Sequence, residues 1–80
     1  MSDARQRLVQ CFAAVFPQLR ESEIVRASTA SIGSWDSVAT VTLVTLTEEE
    51  FGIQVPPEDF EELTSFDLIL DYIGNAADGR

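Results

Sequence analysis

The chain has 80 residues, of which 45% are apolar, and it carries a formal net charge of −9. This length allows one domain, near the lower limit for folding on a single core without disulfides, and the apolar share excludes wholesale disorder. The acidic balance disfavours nucleic acid, whose phosphates it would repel, and favours a basic partner surface, although carboxylates also keep small proteins soluble.

Cysteine and histidine usage excludes several kinds of site. The chain has one cysteine, Cys11, and no histidine, so it has neither an internal disulfide nor a usual set of transition-metal ligands. We expect Cys11 to be a small core residue of the first helix. No segment resembles a signal peptide or approaches the roughly 20 apolar residues of a membrane span, which predicts a cytoplasmic protein.

The first predicted helix runs from a cap at Ser2 or Asp3 to about Phe16, and Pro17 ends it. Its core face is indicated by apolar residues at helical spacing: Leu8, Phe12, Val15 and Phe16. Residues 17–36 form a long connection, and a loop of this length in a small domain must be anchored or functional. The expected anchors are Leu19, Ile24 and Ile32.

Trp35 ends this connection directly before a helix start. Its ring either staples the loop to the helix or is presented to a partner protein. We favour the packed arrangement, and we keep Trp35 among the candidate partner contacts.

The second long helix begins at Asp36 or Ser37, because the side-chain oxygen of either can accept a hydrogen bond from a free backbone N–H group. It is predicted to run to Phe51, with Gly52 in the left-handed conformation that ends a helix. At about 100° per residue, the predicted core face carries Thr40, Leu43, Val44, Thr47 and Phe51. A different face carries Ser37, Val38, Val41, Thr45 and Glu48.

Thr47 is a polar residue on the predicted core face. Its hydroxyl can bond back to the carbonyl of Leu43. Alternatively, the helix is rotated so that Leu46 takes the buried position.

The rest of the chain is also predicted to be helical. Pro57 begins a short helix that directs Phe60 and Leu63 inward. Residues 64–67, TSFD, resemble a capping box with Asp in the Glu position and begin the last helix, which Gly74 ends before a frayed tail at 75–80. The core face of this helix is predicted to be Phe66, Ile69, Leu70 and Ile73.

We therefore expect a single domain over residues 1–80, with its core at about 3–74. Its predicted class is all-α, a small four-helix bundle with three longer helices, one short helix and a long loop between helices 1 and 2.

Groups that would support catalysis are not apparent in the sequence. There is no histidine or lysine, and no hydroxyl lies beside a plausible neutral base. Acid pairs such as Glu48/Glu49 fall on predicted helix surfaces, where carboxylates are normally solvated. No EF-hand loop, P-loop or dinucleotide-binding glycine turn is present. The sequence therefore disfavours an enzyme.

Two segments carry a distinctive pattern: residues 36–44, DSVATVTLV, and residues 48–56, EEEFGIQVP. This pattern resembles the acyl carrier protein family and its peptidyl and aminoacyl carrier relatives. The similarity continues through residues 63–65 and 71–73, so it covers about residues 5–74. Asp-Ser alone is a weak motif, but Asp-Ser at a helix start followed at the right distance by Glu-Glu-Glu-Phe and Pro-Pro-Glu is a strong one.

This resemblance implies a carrier and not a catalyst. Ser37 would receive 4′-phosphopantetheine from coenzyme A through a phosphopantetheinyl transferase, and the thiol of the arm would carry a substrate as a thioester. Other implied partners are an acyl- or aminoacyl-loading ligase or transferase and downstream acyl-processing enzymes. Carriers of this family present their second helix to such enzymes, which implies partner contacts at Asp36, Val38, Val41 and Glu48. We expect a monomer.

Two departures from the fatty-acid carriers favour a specialised member of the family. Ala39 and Thr42 occupy positions where fatty-acid carriers tend to have acids. The bulky Trp35 before Asp-Ser is more similar to D-alanyl and aminoacyl carriers or to specialised acyl carriers. The alternative hypothesis is an unmodified acidic helical adaptor that binds a basic partner through the second helix.

Overall fold

The structure is a computed structural model that describes residues 4–78. Its elements are helix α1 (Ala4–Val15), α2 (Glu21–Ile24), α3 (Ser37–Phe51), a 3₁₀ helix (Pro57–Glu62) and α4 (Phe66–Asp78). Helix α1 packs against each of the other three α-helices, and the 3₁₀ helix packs against α3. This arrangement confirms the predicted small all-α bundle. The predicted caps of the first helix, Ser2 and Asp3, lie outside the described residues.

Four aromatic rings form the centre of the core. Phe12 of α1 has no solvent exposure, and its ring centroid lies 5.2 Å from that of Phe66, 5.5 Å from that of Trp35 and 6.2 Å from that of Phe16. The rings of Phe16 and Trp35 are 5.9 Å apart. Edge-on and tilted pairs of this kind contribute about 0.5–1.5 kcal/mol each beyond the area they bury. The cluster joins α1, the long connection and α4, and it confirms Phe12 and Phe16 as core residues.

The connection between α1 and α3 contains a helix that the sequence did not predict. Helix α2 spans only four residues, Glu21–Ile24, and the residue before it is Arg20, which is not a typical cap. The Glu23 carboxylate accepts a hydrogen bond from the Arg20 backbone N–H at 2.8 Å. Ile24 is fully buried, as expected of an anchor, while Leu19 and Ile32 are partly buried against the core.

A short antiparallel bridge ties this connection to the start of α4. The backbone N–H of Thr29 donates to the carbonyl of Thr64 at 2.9 Å, and that of Phe66 donates to the carbonyl of Ala27 at 3.0 Å. The first N–H groups of a helix have no partner within the helix. The connection therefore satisfies one of these groups at the start of α4.

Both ends of α4 differ from the prediction. The Ser65 hydroxyl accepts from the Leu68 backbone N–H at 3.1 Å, so the cap is Ser65 and not Thr64, whose carbonyl pairs with Thr29 in the bridge. The predicted capping box is therefore wrong, because the third residue after the Ser65 cap is Leu68, which has no carboxylate. Gly74 does not end the helix, which continues to Asp78. Among the described residues, positive φ occurs only at Gly52. The helix continues because a Gly within a helix costs only about 1 kcal/mol relative to Ala. The residues after Gly74 include two alanines, and Ala is the best helix former.

The end of α3 is closed as predicted, with Gly52 at a φ of 65°. Arg7 of α1 crosses to this end, where its Nε lies 2.7 Å from a carboxylate oxygen of Glu50 and its guanidinium also donates to the Glu50 carbonyl. The guanidinium carbon is 4.6 Å from the centre of the Phe51 ring. A cation is favourable at a helix C-terminus, although this exposed pair contributes about 1 kcal/mol or less.

The 3₁₀ helix begins at Pro57, as predicted, and is joined to α4 by a side-chain hydrogen bond. The Tyr72 hydroxyl donates to a carboxylate oxygen of Asp59 at 2.8 Å. This bond, followed by burial, raises the pKa of Tyr72 from 10.0 to about 12. Leu63 is buried and Phe60 is partly buried, so both point inward as predicted.

The Tyr72 bond predicts a specific loss of stability at high pH. Because the pKa is raised in the folded protein, the contribution of the bond is complete below about pH 10 and is lost as the pH rises to about 12. Tyr72→Phe should lower the free energy of unfolding by about 1 kcal/mol at neutral pH, and this difference should shrink across that interval. The chain has one tyrosine, so the absorbance of tyrosinate reports the titration of Tyr72 directly.

The matched control for this prediction is Asp59→Asn, which removes the charge that the hydroxyl faces. In this variant the pKa of Tyr72 should fall towards the pKa measured for the urea-unfolded chain. A native protein whose Tyr72 titrates together with the unfolded chain would show that the bond with Asp59 is not formed in solution.

Candidate functional site at the start of helix α3

Asp36 caps helix α3. Its backbone is extended, with φ of −104° and ψ of −171°, and its Oδ1 accepts from the Ala39 backbone N–H at 2.9 Å. The sequence left Asp36 and Ser37 as alternative caps, and the structure assigns this bond to Asp36. The neighbouring serine is therefore not needed for capping.

Ser37 is the first residue of α3 and is exposed to solvent. Within residues 4–78, no group forms a hydrogen bond with its hydroxyl. The hydroxyl is thus accessible and uncommitted, at the end of a helix where free N–H groups favour an attached anion. None of the described side chains that could act as a base is hydrogen-bonded to this oxygen.

Trp35 points away from this surface. Only 5% of its surface is exposed, and its indole N–H donates to Oγ1 of Thr40 at 2.9 Å. The predicted packed arrangement is correct, because the ring is held between Thr40 and the aromatic cluster. This burial gives no support to Trp35 as a direct partner contact. Sequence reasoning placed Thr40 on the core face but did not identify it as the partner of the indole.

An exposed strip follows Ser37 along α3, and we call it the α3 strip. Its members are Val38, Val41, Thr42 and Thr45. Val38 is 73% exposed and Val41 is 50% exposed, as predicted. The Thr42 hydroxyl donates to the Val38 carbonyl at 3.1 Å, and the Thr45 hydroxyl donates to the Val41 carbonyl at 2.8 Å. Because both hydroxyl protons are used within the helix, the strip is more apolar than its composition indicates.

Glu48 lies at the opposite end of α3 from Ser37. Glu48 is eleven positions after Ser37, which corresponds to about 16 Å along a helix. Glu48 is partly buried, and its carboxylate accepts from the Val55 backbone N–H at 2.8 Å. It also borders an open cleft of about 670 Å³ together with Glu49 and residues 53–56. This internal bond was not predicted, and the structure does not bring Glu48 and Ser37 together.

A small recess opens beside Ser37, between α3 and the 3₁₀ helix. It has a volume of about 220 Å³ and is lined by Ser37, Thr40, Val41, Phe60 and Glu61. The last two residues were not predicted to lie near Ser37, because they are distant in sequence and only the packing of the 3₁₀ helix on α3 brings them there. No local pattern in the chain indicates this contact.

Cys11 and Thr47 belong to the core and not to a site. Burial, followed by the charge of Glu50, raises the pKa of the Cys11 thiol, which makes it less reactive. Thr47 is buried, and its hydroxyl donates to the Leu43 carbonyl at 2.8 Å. This geometry confirms the first of the two alternatives for Thr47, and Leu46 is only partly buried.

Other kinds of site find no support in the part of the chain that the structure describes. No group of three or more potential metal ligands comes together within residues 4–78. Over the same residues, none of the helices has both the length and the apolar character to cross a membrane.

Comparison with protein-family models assigns most of the chain to a known family. The model of a family described as a phosphopantetheine attachment site matches residues 6–73. The match begins in α1, ends in α4 and includes the exposed serine at the start of α3.

The cap at the start of α3 predicts a measurable effect on stability. Asp36→Ala should lower the free energy of unfolding by about 1 kcal/mol, because the Ala39 N–H loses its acceptor, whereas Asp36→Asn should retain most of it. Urea unfolding followed by the fluorescence of the single tryptophan measures both variants. An alanine variant as stable as the parent would show that the cap contributes nothing.

Proposed function

Because the chain belongs to the phosphopantetheine attachment-site family and is a carrier protein bearing covalent 4′-phosphopantetheine, we propose that Ser37 bears this group. The support is local. Asp36 supplies the cap, so the adjacent hydroxyl is exposed and uncommitted. By contrast, the hydroxyls of Ser28, Ser31 and Ser65 take part in hydrogen bonds with neighbouring residues.

Attachment requires little of the carrier itself. A phosphopantetheinyl transferase would join the phosphorus of the phosphopantetheine portion of coenzyme A to the Ser37 oxygen. The serine proton is removed and the adenosine bisphosphate portion leaves. The first turn of α3 would stabilise the attached phosphodiester by about 0.3–1 kcal/mol. When bound, the group supplies a thiol that carries the cargo as a thioester.

The α3 strip is the proposed docking surface for partner enzymes. It begins beside Ser37 and presents the side chains of Val38 and Val41, which are among the most exposed large apolar residues in the described chain. Residues 27–79, which include the strip, contain eleven acids and no base. We infer that the valines fill a shallow apolar site on a partner whose rim is basic, with Asp36 at one end and Glu48 at the other.

The proposed partners are a phosphopantetheinyl transferase, an enzyme that loads an acyl or aminoacyl group, and enzymes that process that group. We further propose a specialised pathway in place of housekeeping fatty-acid synthesis. Ala39 and the exposed Thr42 leave the first two turns of α3 after the Asp36 cap without acids, so recognition there depends on apolar contact more than on charge. The chain acts as a single carrier domain in this proposal.

The attachment site is tested by intact mass after incubation with coenzyme A and a broad-specificity transferase. The parent protein should gain one phosphopantetheine group and Ser37→Ala should gain none. Ser22→Ala is the matched control, because Ser22 is also an exposed helical serine, and it should gain the group. A folded parent that gains nothing with several transferases would favour the acidic adaptor.

The docking surface is tested by the double variant Val38→Ser, Val41→Ser. It should lower kcat/KM for transferase loading about thirtyfold, since a loss of about 1 kcal/mol at each valine sums to about 2 kcal/mol. The matched control is Leu68→Ser, which makes a similar change at a side chain on α4 that is 47% exposed. Equal rates for the double variant and the control would exclude the α3 strip as the transferase contact.

A further inference from the structure

Thr40 connects the recess beside Ser37 to the core. It lines the recess, and its Oγ1 accepts from the Trp35 indole N–H at 2.9 Å while donating to the Asp36 carbonyl at 3.0 Å. The hydroxyl thus has a partner for its proton and a donor for its lone pair. Both bonds fix the side chain in one position, so this wall of the recess is held in place.

Trp35 is held equally firmly behind Thr40. The indole is 5% exposed, with its ring centre 5.5 Å from that of Phe12 and 5.9 Å from that of Phe16. Any group that passes Thr40 towards the core must displace this ring. Such a movement breaks the indole hydrogen bond and both aromatic contacts, and it leaves the Trp35 N–H without an acceptor.

The recess itself offers little space and a mixed lining. Its volume is about 220 Å³. The 3₁₀ helix lines it with the partly buried Phe60 and the exposed Glu61. A long alkyl chain is stabilised in proportion to the apolar area that it removes from water. In this recess an alkyl chain would lie beside the acidic Glu61, and Thr40, held by its two hydrogen bonds, would block deeper entry.

We propose that Trp35 and Thr40 close the route from Ser37 into the bundle, so that this carrier keeps its cargo outside the core and suits short or polar acyl groups in place of long alkyl chains. This inference rests on the proposed attachment at Ser37. Trp35 and Thr40 act here as determinants of cargo specificity that do not touch the partner enzyme.

The test compares two cargoes on the same carrier. A permissive transferase attaches the acetyl or the octanoyl form of phosphopantetheine from the corresponding coenzyme A ester, and intact mass confirms one group per chain. This step tests Ser37 attachment separately, since a chain that is never loaded contradicts the proposed function and not the cargo inference. The thermal midpoint Tm and the fluorescence of Trp35 are then measured for each form.

The wild-type protein should have the same Tm and the same tryptophan emission with either cargo, because neither enters the core. Trp35→Phe removes the indole N–H and part of the ring, and its octanoyl form should melt at a higher temperature than its acetyl form. Thr40→Ala, which keeps the indole, should show the same difference. The matched control is Ile73→Val, which makes a small loss in a buried position of α4 and should show none.

Three outcomes overturn the inference. A wild-type octanoyl form with a higher Tm or shifted Trp35 emission would show that the cargo already enters the core. Variants at Trp35 and Thr40 that both load and fold without any difference between cargoes would show that these residues do not close the route. A gain in Ile73→Val equal to theirs would indicate general loosening of the core. The comparison of the acetyl and octanoyl forms of the wild-type protein tests the inference even where a variant fails to fold.

Discussion

Burial of Trp35 against α1 is the interaction on which the candidate site depends. The indole lies against Phe12 and Phe16, and the chain enters α3 from this fixed point. Asp36 is then extended, and Ser37 begins the helix with its side chain in solvent. Without the buried ring, the start of α3 would be held mainly by the Asp36 cap, which contributes about 1 kcal/mol. An aromatic contact in the core therefore positions a hydroxyl on the surface.

Three consecutive residues divide the tasks of the proposed attachment site. Trp35 anchors the chain, Asp36 satisfies a free N–H of the helix, and Ser37 remains available. Combining two of these tasks in one residue would weaken the site, since a serine that caps the helix has its oxygen already engaged. The proposed division also fits a chain without histidine or lysine. A serine that a transferase modifies has to be accessible, and in this proposal the transferase supplies the reactivity.

Features with a local cause were predictable from the sequence. The left-handed Gly52 was predicted directly, while the Asp36 cap and the bond of Thr47 to its own helix were each one of two alternatives. All three depend on residues within four positions. Features that depend on distant pairing were not predictable. The bridge that displaces the cap of α4 joins residues 27–29 to 64–66, and the same kind of distant packing places Phe60 and Glu61 beside Ser37. Helix α2 is too short for periodicity to reveal, and its formation depends on the burial of Ile24.

The distribution of charge and apolar surface determines how such a carrier can bind. The α3 strip has no charged residue between Ser37 and Thr47, and its two threonine protons are used within the helix. As the proposed docking surface, it contributes close contact over a small area, which limits affinity. In this proposal the acids elsewhere act at a distance, where they accelerate encounter with a basic partner surface, and their effect weakens as salt increases. A carrier that meets several enzymes in turn needs fast association and ready release. This separation of long-range charge from short-range apolar contact provides both, because the charge raises the association rate while the small strip leaves dissociation fast.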